Sequence, residues 1–358
     1  MVGLRLGDVP PAVAAQARLL TLDTLGCALA AARYDFSRAV RETAERLGGP
    51  PESGLVGSKT RVSAANAALA NSTLAHGLDF DDTREDAIVH TGSVVVPTSL
   101  AVAEAVSASG RTALEAIVAG VEVMCRVGLA VPGRFHARHY HPTALAGTFG
   151  AAAAAGKLHR LTEDQLVRAF GICGSQAAGI IEYLADGSWT KRLHAGWAAH
   201  AGVVAALLAQ LGFTGPESVL EGEHGFYRAF AGGHEPARLD ELLASLGAVW
   251  EIEQLTFKPY PCGSIAQPYM DCALRVRDRH RVRPDDTSRF FAAPPRGGAA
   301  TLGAAGREAR TPERLCRQVQ PAVPARGDPH PGPGQSRGVR GRRRAGSRCP
   351  GPRLADRL

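Results

Sequence analysis

The sequence predicts a mainly α-helical fold, and two observations carry that prediction. From Val94 to Leu211, Ala, Leu and Val recur at helical spacing in one segment after another. The alternation of apolar and polar residues that is typical of strands is nearly absent. We therefore expect one large all-helical domain over residues 1–255, in which frequent Gly and Ala residues let the helices approach one another closely.

The elements predicted first along the chain are two helices, a short extended piece and an Ala-rich helix. Pro10–Ala32 begins with proline, which favours a helix start, and Arg41–Leu47 continues with a second helix. Gly54–Ser58 is predicted to be extended. Ser63 is a candidate N-cap for the Ala-rich helix, which leads into an acidic cluster at His76–Thr83.

Seven further helices are predicted beyond residue 93. Thr112 with Glu115 and Thr162 with Gln165 have the spacing of capping boxes, so a helix start is expected at each pair. The predicted ranges are Val94–Ser107, Thr112–Leu129, Thr143–Leu158, Glu163–Leu184, His194–Leu211, Leu239–Leu246 and Pro268–Arg279.

The sequence changes character after Ser288. Residues 289–358 contain 15 Arg, no Lys and four acidic residues, and no aromatic residue follows Phe291. Such a segment buries too little apolar surface to offset the entropy lost on ordering, so we expect a disordered tail. The net charge of +7 comes from this tail, and the slightly acidic remainder gives no reason to expect nucleic-acid binding.

We interpret the protein as cytoplasmic. The first ten residues include Arg5 and Asp8 and lack the apolar run of a secretion signal. Uncharged runs such as Thr143–Gly156 are too short to span a bilayer, so no membrane contact is expected. The seven Cys are scattered without a CxxC pair, which is typical of reduced thiols used as small core residues.

The acidic cluster His76–Thr83 is the first candidate site. It places His76, Asp79, Asp81 and Asp82 directly after an apolar segment. If the preceding helix continues through the cluster, His76, Asp79 and Thr83 share one helix face. The alternative is a solvated helix end, because clusters of charge usually lie on the surface.

A second candidate is the histidine-rich segment Phe135–Thr143. His136, His139 and His141 precede a helix that begins at Pro142. A metal site is one interpretation, but these residues lie before the helix, where no regular spacing brings ligands together. We favour a role for His141 at the helix N-terminus, where it can meet an anionic substrate, and we expect no metal.

The third candidate segment is Asp186–His194. Thr190 is a candidate N-cap, which places Lys191 in the first helical turn and His194 on the same face. Cations are unfavourable at a helix N-terminus, so Lys191 indicates an anion nearby. A solvated surface charge is the alternative.

The fourth candidate is the proline-rich loop Lys258–Ser264. Its prolines can hold Lys258 and Tyr260 towards a cleft, or they can make a stiff linker between domains. No motif for a nucleotide, pyridoxal phosphate or flavin stands out anywhere in the chain, so no cofactor is expected. Carboxylates with several His and Lys suit proton transfer next to substrate carboxylates.

These segments, in this order, resemble the MmgE/PrpD family, which includes 2-methylcitrate dehydratase and cis-aconitate decarboxylase. The resemblance covers about Val9–Arg279 and implies a large all-helical domain, a smaller α+β lid domain, a homodimer and a site in the cleft between the domains. It rests on the motifs LDTLGCALA (22–30), ANSTLAHGLDFDDT (70–83), HTGS (90–93), HPTALAGTFGAAAAAGKL (141–158), DGSWTKRLHAGWAA (186–199) and KPYPCGS (258–264).

The resemblance implies a cofactor-independent lyase that removes water or carbon dioxide from a small di- or tricarboxylic acid. Lys191, His90 and His141 would hold carboxylates and move protons, and Asp79 would orient or deprotonate a partner. With the residues singled out above, the predicted catalytic set is Asp79, His90, His141 and Lys191, and the predicted substrate-binding set is Thr83, His194, Lys258 and Tyr260.

Two departures from the family pattern affect these expectations. In the decarboxylase branch a further His follows the proline-rich loop, whereas this chain reads Gly263–Gln267, so neither decarboxylation nor 2-methylcitrate specificity follows. Residues 256–288 resemble only the start of the lid, and the tail has the composition of out-of-frame translation of a GC-rich gene. We therefore expect a frameshift near Thr287–Phe290 and weakened activity.

Three alternative functions remain open on the sequence. An isomerase or epimerase of a related acid is the nearest, and a non-catalytic helical scaffold is the second. The third is an arginine-rich arm that binds nucleic acid or acidic membranes, which we disfavour because the tail has only Phe290–Phe291 as stacking residues.

Overall fold

The prediction of a mainly α-helical fold is confirmed. The computed structural model describes residues 1–283, and within them the only paired strands are β1 (Ser53–Gly54) and β2 (Arg61–Val62), which are antiparallel. The helices are α1 (Pro11–Ala31), α2 (Asp35–Leu47), α3 (Ala64–Ala75), α4 (Gly92–Ala105), α5 (Gly110–Leu129), α6 (Arg134–Ala137), α7 (Pro142–Leu158), α8 (Glu163–Gln176), α9 (Thr190–Gln210), α10 (Phe226–Ala231), α11 (Pro236–Ala244) and α12 (Gln267–His280).

The predicted helix Glu163–Leu184 is wrong in its second half. Helix α8 ends at Gln176, and a separate turn of 3-10 helix follows at Ile181–Leu184. Between them Gly179 has a φ of +136°, a conformation that side chains rarely adopt, and an added Cβ would lie 2.6 Å from Ala144. The chain therefore turns at a glycine that packs against α7.

Of the two predicted capping boxes, the one at Thr162 and Gln165 is confirmed. The other is wrong, because α5 begins at Gly110 and its N-cap is Ser109, whose hydroxyl accepts a hydrogen bond from the Thr112 backbone. Glu115 instead accepts a hydrogen bond from the Leu6 backbone at 2.9 Å.

Helix α7 lies at the centre of the core and packs against α5 on one side and α9 on the other; α9 also packs on α3. Two crossings need glycine. A Cβ on Gly120 would lie 2.8 Å from the Gly150 carbonyl oxygen, and one on Gly202 would lie 2.7 Å from the Thr148 carbonyl oxygen. The predicted close approach of helices is therefore present, because side chains at these positions would collide with backbone.

The segment after Leu255 returns to the helical core. The Thr256 backbone pairs with the Thr83 backbone through two hydrogen bonds of 2.9 Å, which places the following loop beside the end of α3. The domain boundary at residue 255 stays a prediction. The predicted tail, 289–358, and the predicted frameshift near Thr287–Phe290 lie outside the described residues.

The buried cysteines fit their predicted use in the core. Cys27, Cys125, Cys173 and Cys262 are buried free thiols, whereas Cys272 is exposed. None of the helices described in residues 1–283 has both the length and the apolar surface needed to cross a membrane.

Candidate active site

The acidic cluster lies in a loop and not on a helix. Helix α3 ends at Ala75 and His76 is its C-cap, so the predicted shared face of His76, Asp79 and Thr83 is wrong. Asp79 has a φ of +53°, and a Cβ on Gly77 would lie 2.4 Å from the Phe36 ring. The chain therefore leaves the helix in a tight turn, which directs the polar side chains of the loop to different neighbours.

Four histidines from separate elements meet beside this loop. They are His76 after α3, His90 before α4, His141 at the N-cap of α7 and His194 in the first part of α9. The His76 ring centroid is 5.1 Å from that of His90 and 5.6 Å from that of His141, and the rings of His141 and His194 are 5.2 Å apart. All four are buried.

Two lysines converge on Asp79 at the edge of this histidine cluster. Lys191 Nζ lies 2.6 Å from Oδ2 and Lys258 Nζ lies 2.8 Å from Oδ1. Burial raises the pKa of Asp79, but Lys191 and Lys258 outweigh it and hold the pKa well below its usual value. The side chains of Asp79 and Lys191 are about a quarter exposed, whereas that of Lys258 is 2% exposed.

The anion that the sequence indicated near Lys191 is, in this structure, the Asp79 carboxylate. Thr190 is the first residue of α9 and not its N-cap, which is Trp189, with no side-chain cap. The neighbouring Arg192 donates a hydrogen bond to the Gly77 carbonyl and lies over the Phe36 ring. Lys191 and Arg192, in the first turn of α9, therefore both bind the acidic loop.

Asp81 and Asp82 have separate roles. Asp81 Oδ2 lies 2.7 Å from His76 Nδ1. Burial raises the pKa of Asp81, but His76, His90 and Lys258 outweigh it and keep the pKa below its usual value. An ionised Asp81 can only accept, so His76 carries its proton on Nδ1, and its buried Nε2 has no partner among the described residues.

Asp82 caps helix α4. Its carboxylate accepts hydrogen bonds from the backbones of Thr91 and Gly92 and from the Thr91 hydroxyl, at 2.7 to 3.1 Å. Burial and the Asp81 carboxylate raise the pKa of Asp82 to about 7, although these hydrogen bonds favour the ionised form. A Cβ on Gly92 would lie 2.5 Å from Asp82 Oδ1, so this cap requires glycine.

His90 has a fixed tautomer. Its Nδ1 lies 2.8 Å from the Asp82 carbonyl oxygen, which can only accept, so neutral His90 leaves Nε2 unprotonated. Burial and then Lys258 lower the pKa of His90 to about 3. Thr83 Oγ1 lies 3.1 Å both from His90 Nδ1 and from Ser264 Oγ, so a chain of hydroxyl groups connects His90 to the proline-rich loop.

His141 and His194 are also held in the neutral form. Burial is the main cause that holds the pKa of His141 well below its usual value, followed by the proximity of His76 and Lys191. Burial lowers the pKa of His194 to about 4, assisted by His76 and Lys191. Tyr183 faces both rings, with centroid distances of 6.1 and 5.8 Å.

The structure brings seven of the eight predicted site residues together. Tyr260 is the exception: its carbonyl oxygen accepts from Gln267 and the Cys262 backbone, and among the described residues its phenol makes no hydrogen bond to the other predicted site residues. His76, Asp81, Tyr183 and Ser264 belong to the same site but were not predicted members. His76 and Asp81 lie in the acidic motif and Ser264 ends the proline-rich segment, so the sequence held a usable signal for these three, whereas it held none for Tyr183.

The three histidines of the alternative metal site differ in burial. His141 is buried, whereas His139 is exposed with a φ of +66° and His136 lies half-buried in α6. Within residues 1–283, no group of three or more His, Cys, Asp or Glu is arranged to hold a metal ion.

An open groove of about 490 Å³ reaches one side of the histidine cluster. Its lining includes Gly179, Ile180, Tyr183, His194 and Trp197. Ile180 and Trp197 are exposed, at 60% and 45%. His194 therefore stands between the surface groove and the buried His141.

Comparison with known proteins places this site in context. The family model of the MmgE/PrpD N-terminal domain matches residues 1–239. Cis-aconitate decarboxylase of Aspergillus terreus is 29% identical over 287 residues, covering 77% of this chain and 58% of that protein. Cis-aconitate decarboxylase of Homo sapiens is 31% identical over 286 residues, covering 78% and 58%. The chain thus spans somewhat more than half the length of these relatives.

Proposed function

The chain belongs to the MmgE/PrpD family, and on this premise we propose that it carries the site of a cofactor-independent lyase for a small tricarboxylic acid, with cis-aconitate as the first substrate to test. One observation supports the proposal most directly. Lys191 and Lys258 converge on the Asp79 carboxylate at the edge of a buried cluster of histidines. In such a site the lysine ammonium groups can bind carboxylates and the imidazoles can transfer protons.

The lysine pair supports carboxylate binding. The two ammonium groups already hold one carboxylate at 2.6 and 2.8 Å, and charge-assisted hydrogen bonds of this kind are about twice as strong as neutral ones. Lys191 is the more exposed of the two. We propose that a substrate carboxylate binds Lys191 from the open side, while Lys258 keeps Asp79 in place.

The neutral histidines support proton transfer. His90 offers an unprotonated Nε2 at neutral pH, and a substrate anion bound beside it would raise its lowered pKa and make it a stronger base. The proposed role of Asp79 is to orient Lys191, because its own pKa lies too low for it to serve as a base near pH 7. The Thr83 hydroxyl contacts the His90 ring and is itself in contact with the Ser264 hydroxyl.

The test is turnover by the full-length purified protein. Cis-aconitate is supplied at pH 7, and carbon dioxide release and the product acid are followed by NMR. We expect turnover that falls about 100-fold or more in Lys191→Met, since removal of positioned charge stabilisation typically costs that much. Lys59→Met, at an exposed lysine outside the site, is the control. Calorimetric binding without turnover would favour the scaffold alternative. The absence of both binding and turnover would reject the proposal.

Dehydration of a hydroxy-tricarboxylate is the second candidate. The observation that favours it is the position of Ser264, whose hydroxyl contacts Thr83 in the site. In the decarboxylase branch a histidine is expected in the stretch that follows this proline-rich loop, and this chain has none there. The same preparation is therefore assayed with 2-methylcitrate, and formation of the unsaturated acid is followed by ultraviolet absorbance. Turnover of 2-methylcitrate alone would replace the first candidate by the second.

We also propose a cytoplasmic homodimer. The support is the family resemblance together with the buried free thiols Cys27, Cys125 and Cys173, which suit a reducing compartment. Light scattering coupled to size exclusion measures the mass directly. A monomeric mass at micromolar concentration would reject the dimer.

A further inference from the structure

The contact between His141 and His194 is unusual in joining two like nitrogens. Nδ1 of His141 lies 3.1 Å from Nδ1 of His194. A hydrogen bond at this distance needs one protonated and one unprotonated nitrogen. Since both rings are held neutral, only one of the two Nδ1 atoms can carry a proton at any time.

This shared proton couples the far sides of the two rings. When His194 donates from Nδ1, His141 accepts at Nδ1 and carries its own proton on Nε2, so it can act as an acid there. When the shared proton moves to His141, its Nε2 becomes an acceptor, and Nε2 of His194 takes up a proton. Movement over a single hydrogen bond therefore exchanges the roles of both outer nitrogens.

The two rings also differ in their surroundings. His141 is packed against the rings of His76 and His90 inside the site, and Tyr183 covers both members of the pair. His194 lines the open groove together with Gly179 and Trp197. The pair thus spans the wall between the buried site and water. The charged and titratable groups that act on it are His76, His90 and Lys191.

We propose that His141 and His194 form a proton relay that carries protons from the groove to the buried site. The inference rests on the proposed function and deepens it, because decarboxylation consumes one proton in each turnover. It assigns His194 a role in proton supply, acting through His141, in place of the substrate-binding role expected from the sequence.

The relay balances as follows for a decarboxylation. The carbon–carbon bond to the departing carboxylate breaks, carbon dioxide leaves, and the electron pair stays on the remaining carbon skeleton. The proton on His141 Nε2 forms the new carbon–hydrogen bond, while the Nδ1 proton of His194 moves to Nδ1 of His141. A proton from water in the groove binds Nε2 of His194 and leaves hydroxide in the solvent. After the product leaves, water that enters the emptied site gives a proton to Nε2 of His141, the shared proton returns to Nδ1 of His194, and Nε2 of His194 releases its proton to the groove, which restores the starting tautomers. No oxidant or reductant takes part.

Two substitutions separate a relay from a binding residue. His194→Gln keeps an amide that can hydrogen bond to His141 but cannot pass a proton on, and His194→Ala leaves space for a small molecule. We expect kcat for cis-aconitate to fall at least tenfold in both, in weakly buffered solution, with KM changed less than twofold. Added imidazole, reaching the groove, should restore at least half of the lost kcat in His194→Ala.

His200→Ala is the matched control. His200 lies on the same helix, stacks on Trp197 and contacts the Ala65 carbonyl outside the site. Its kcat should equal that of the wild type, with no response to imidazole. A raised KM with unchanged kcat in His194→Gln, or a loss in His194→Ala that imidazole does not restore, would overturn the relay.

A measurement on the unmodified protein separates this inference from the proposed function. Nitrogen NMR of histidine-labelled wild-type protein at pH 7 should show that one ring of the pair is protonated at Nδ1 and the other at Nε2. Two rings both protonated at Nε2 would show that no proton is shared, which rejects the relay whether or not the protein turns over any acid. Complementary tautomers with no turnover would reject the proposed function and retain the shared proton.

Discussion

At the scale of single residues, Lys258 has the most demanding position in the site. Its ammonium group is almost fully buried, bonds to Asp79 and lies 3.7 Å from Asp81 Oδ1. A buried cation is tolerated only where carboxylates and hydrogen bonds compensate for lost water. Lys258 therefore holds the two acidic side chains of the loop at once.

We predict that Lys258→Met destabilises the protein by about 3 kcal/mol, because it leaves a buried carboxylate without its cation. Urea denaturation measures the change. Binding of tricarboxylates should weaken at least tenfold in calorimetry, since Asp79 loses one of its two restraints. Lys59→Met, at an exposed position, is the control and should behave as the wild type. Equal stability of both variants would show that the Asp79 contact contributes nothing.

A second prediction at this scale concerns stability against pH. His90 and His194 have pKa values lowered to about 3 and about 4, so the unfolded chain binds protons below pH 6.5 that the folded protein does not. Asp82 and Asp23, with pKa values raised to about 7 and about 6, act in the opposite direction. His141, whose pKa is also held well below its usual value, makes three histidines against two carboxyls. Stability should therefore rise with pH between about 4 and 6.5, by about 1.4 kcal/mol per pH unit for each net proton.

Thermal unfolding across this pH range tests the sign. His194→Gln removes one of the histidines that favour the rise, so its melting temperature should depend less on pH than that of the wild type. A steeper dependence in the variant would contradict the assigned direction. The His200→Ala control should keep the wild-type slope.

At the scale of elements, the N-terminus of α5 shows how one cap decides where a helix begins. The Ser109 hydroxyl accepts from the Thr112 backbone, so the helix begins at Gly110 and Thr112 lies within the first turn. Serine at an N-cap satisfies a backbone donor that has no helical partner.

We predict that Ser109→Ala destabilises the protein by about 1 kcal/mol, the usual contribution of an N-cap hydroxyl. Thr112→Ala should change stability by less than about 0.5 kcal/mol, because alanine suits a helix interior. Chemical denaturation of the two variants side by side distinguishes them. The reverse order would restore the capping box that the sequence indicated at Thr112.

At the scale of the whole molecule, a buried ion pair fastens the lysine-bearing segment to the helical core. Arg84 Nε lies 3.0 Å from Glu251 Oε2, and the backbones of Thr83 and Thr256 pair beside it. Glu251 is 4% exposed. The geometry of the site therefore depends on contacts between parts of the chain that are more than 160 residues apart.

We predict that Glu251→Gln lowers stability by about 2 kcal/mol, because Arg84, whose side chain is 15% exposed, loses its buried charged partner. Tricarboxylate binding should weaken as well, since the ion pair positions the segment that carries Lys258, seven residues further along the chain. Asp86→Asn is a matched control: Asp86 contacts the same arginine, but its side chain is 72% exposed, where ion pairs contribute little. Equal effects of the two substitutions on unfolding by urea would disprove the special role of the buried pair.

Much of the fold could be predicted from the sequence because helices depend on local patterns. The apolar spacing located α1, α4, α5 and α7 to within a few residues. It also located α9, although the predicted start, His194, lies four residues after the observed one, Thr190. The pattern failed at α8, where Gly179 turns the chain to fit Ala144 of another helix. A contact between distant residues decided that boundary, and no local signal records it.

The sequence by itself determined the helical class and, through its motifs, the residue types of the candidate site: acidic loop, histidines and lysines. Only the tertiary structure decided how they combine. It paired Lys191 with Asp79, joined Ser264 to Thr83, and set His141 against His194. The physical reason is that hydrogen bonds and ion pairs form between side chains that packing brings within about 3 Å, and helix packing depends on contacts across the whole chain.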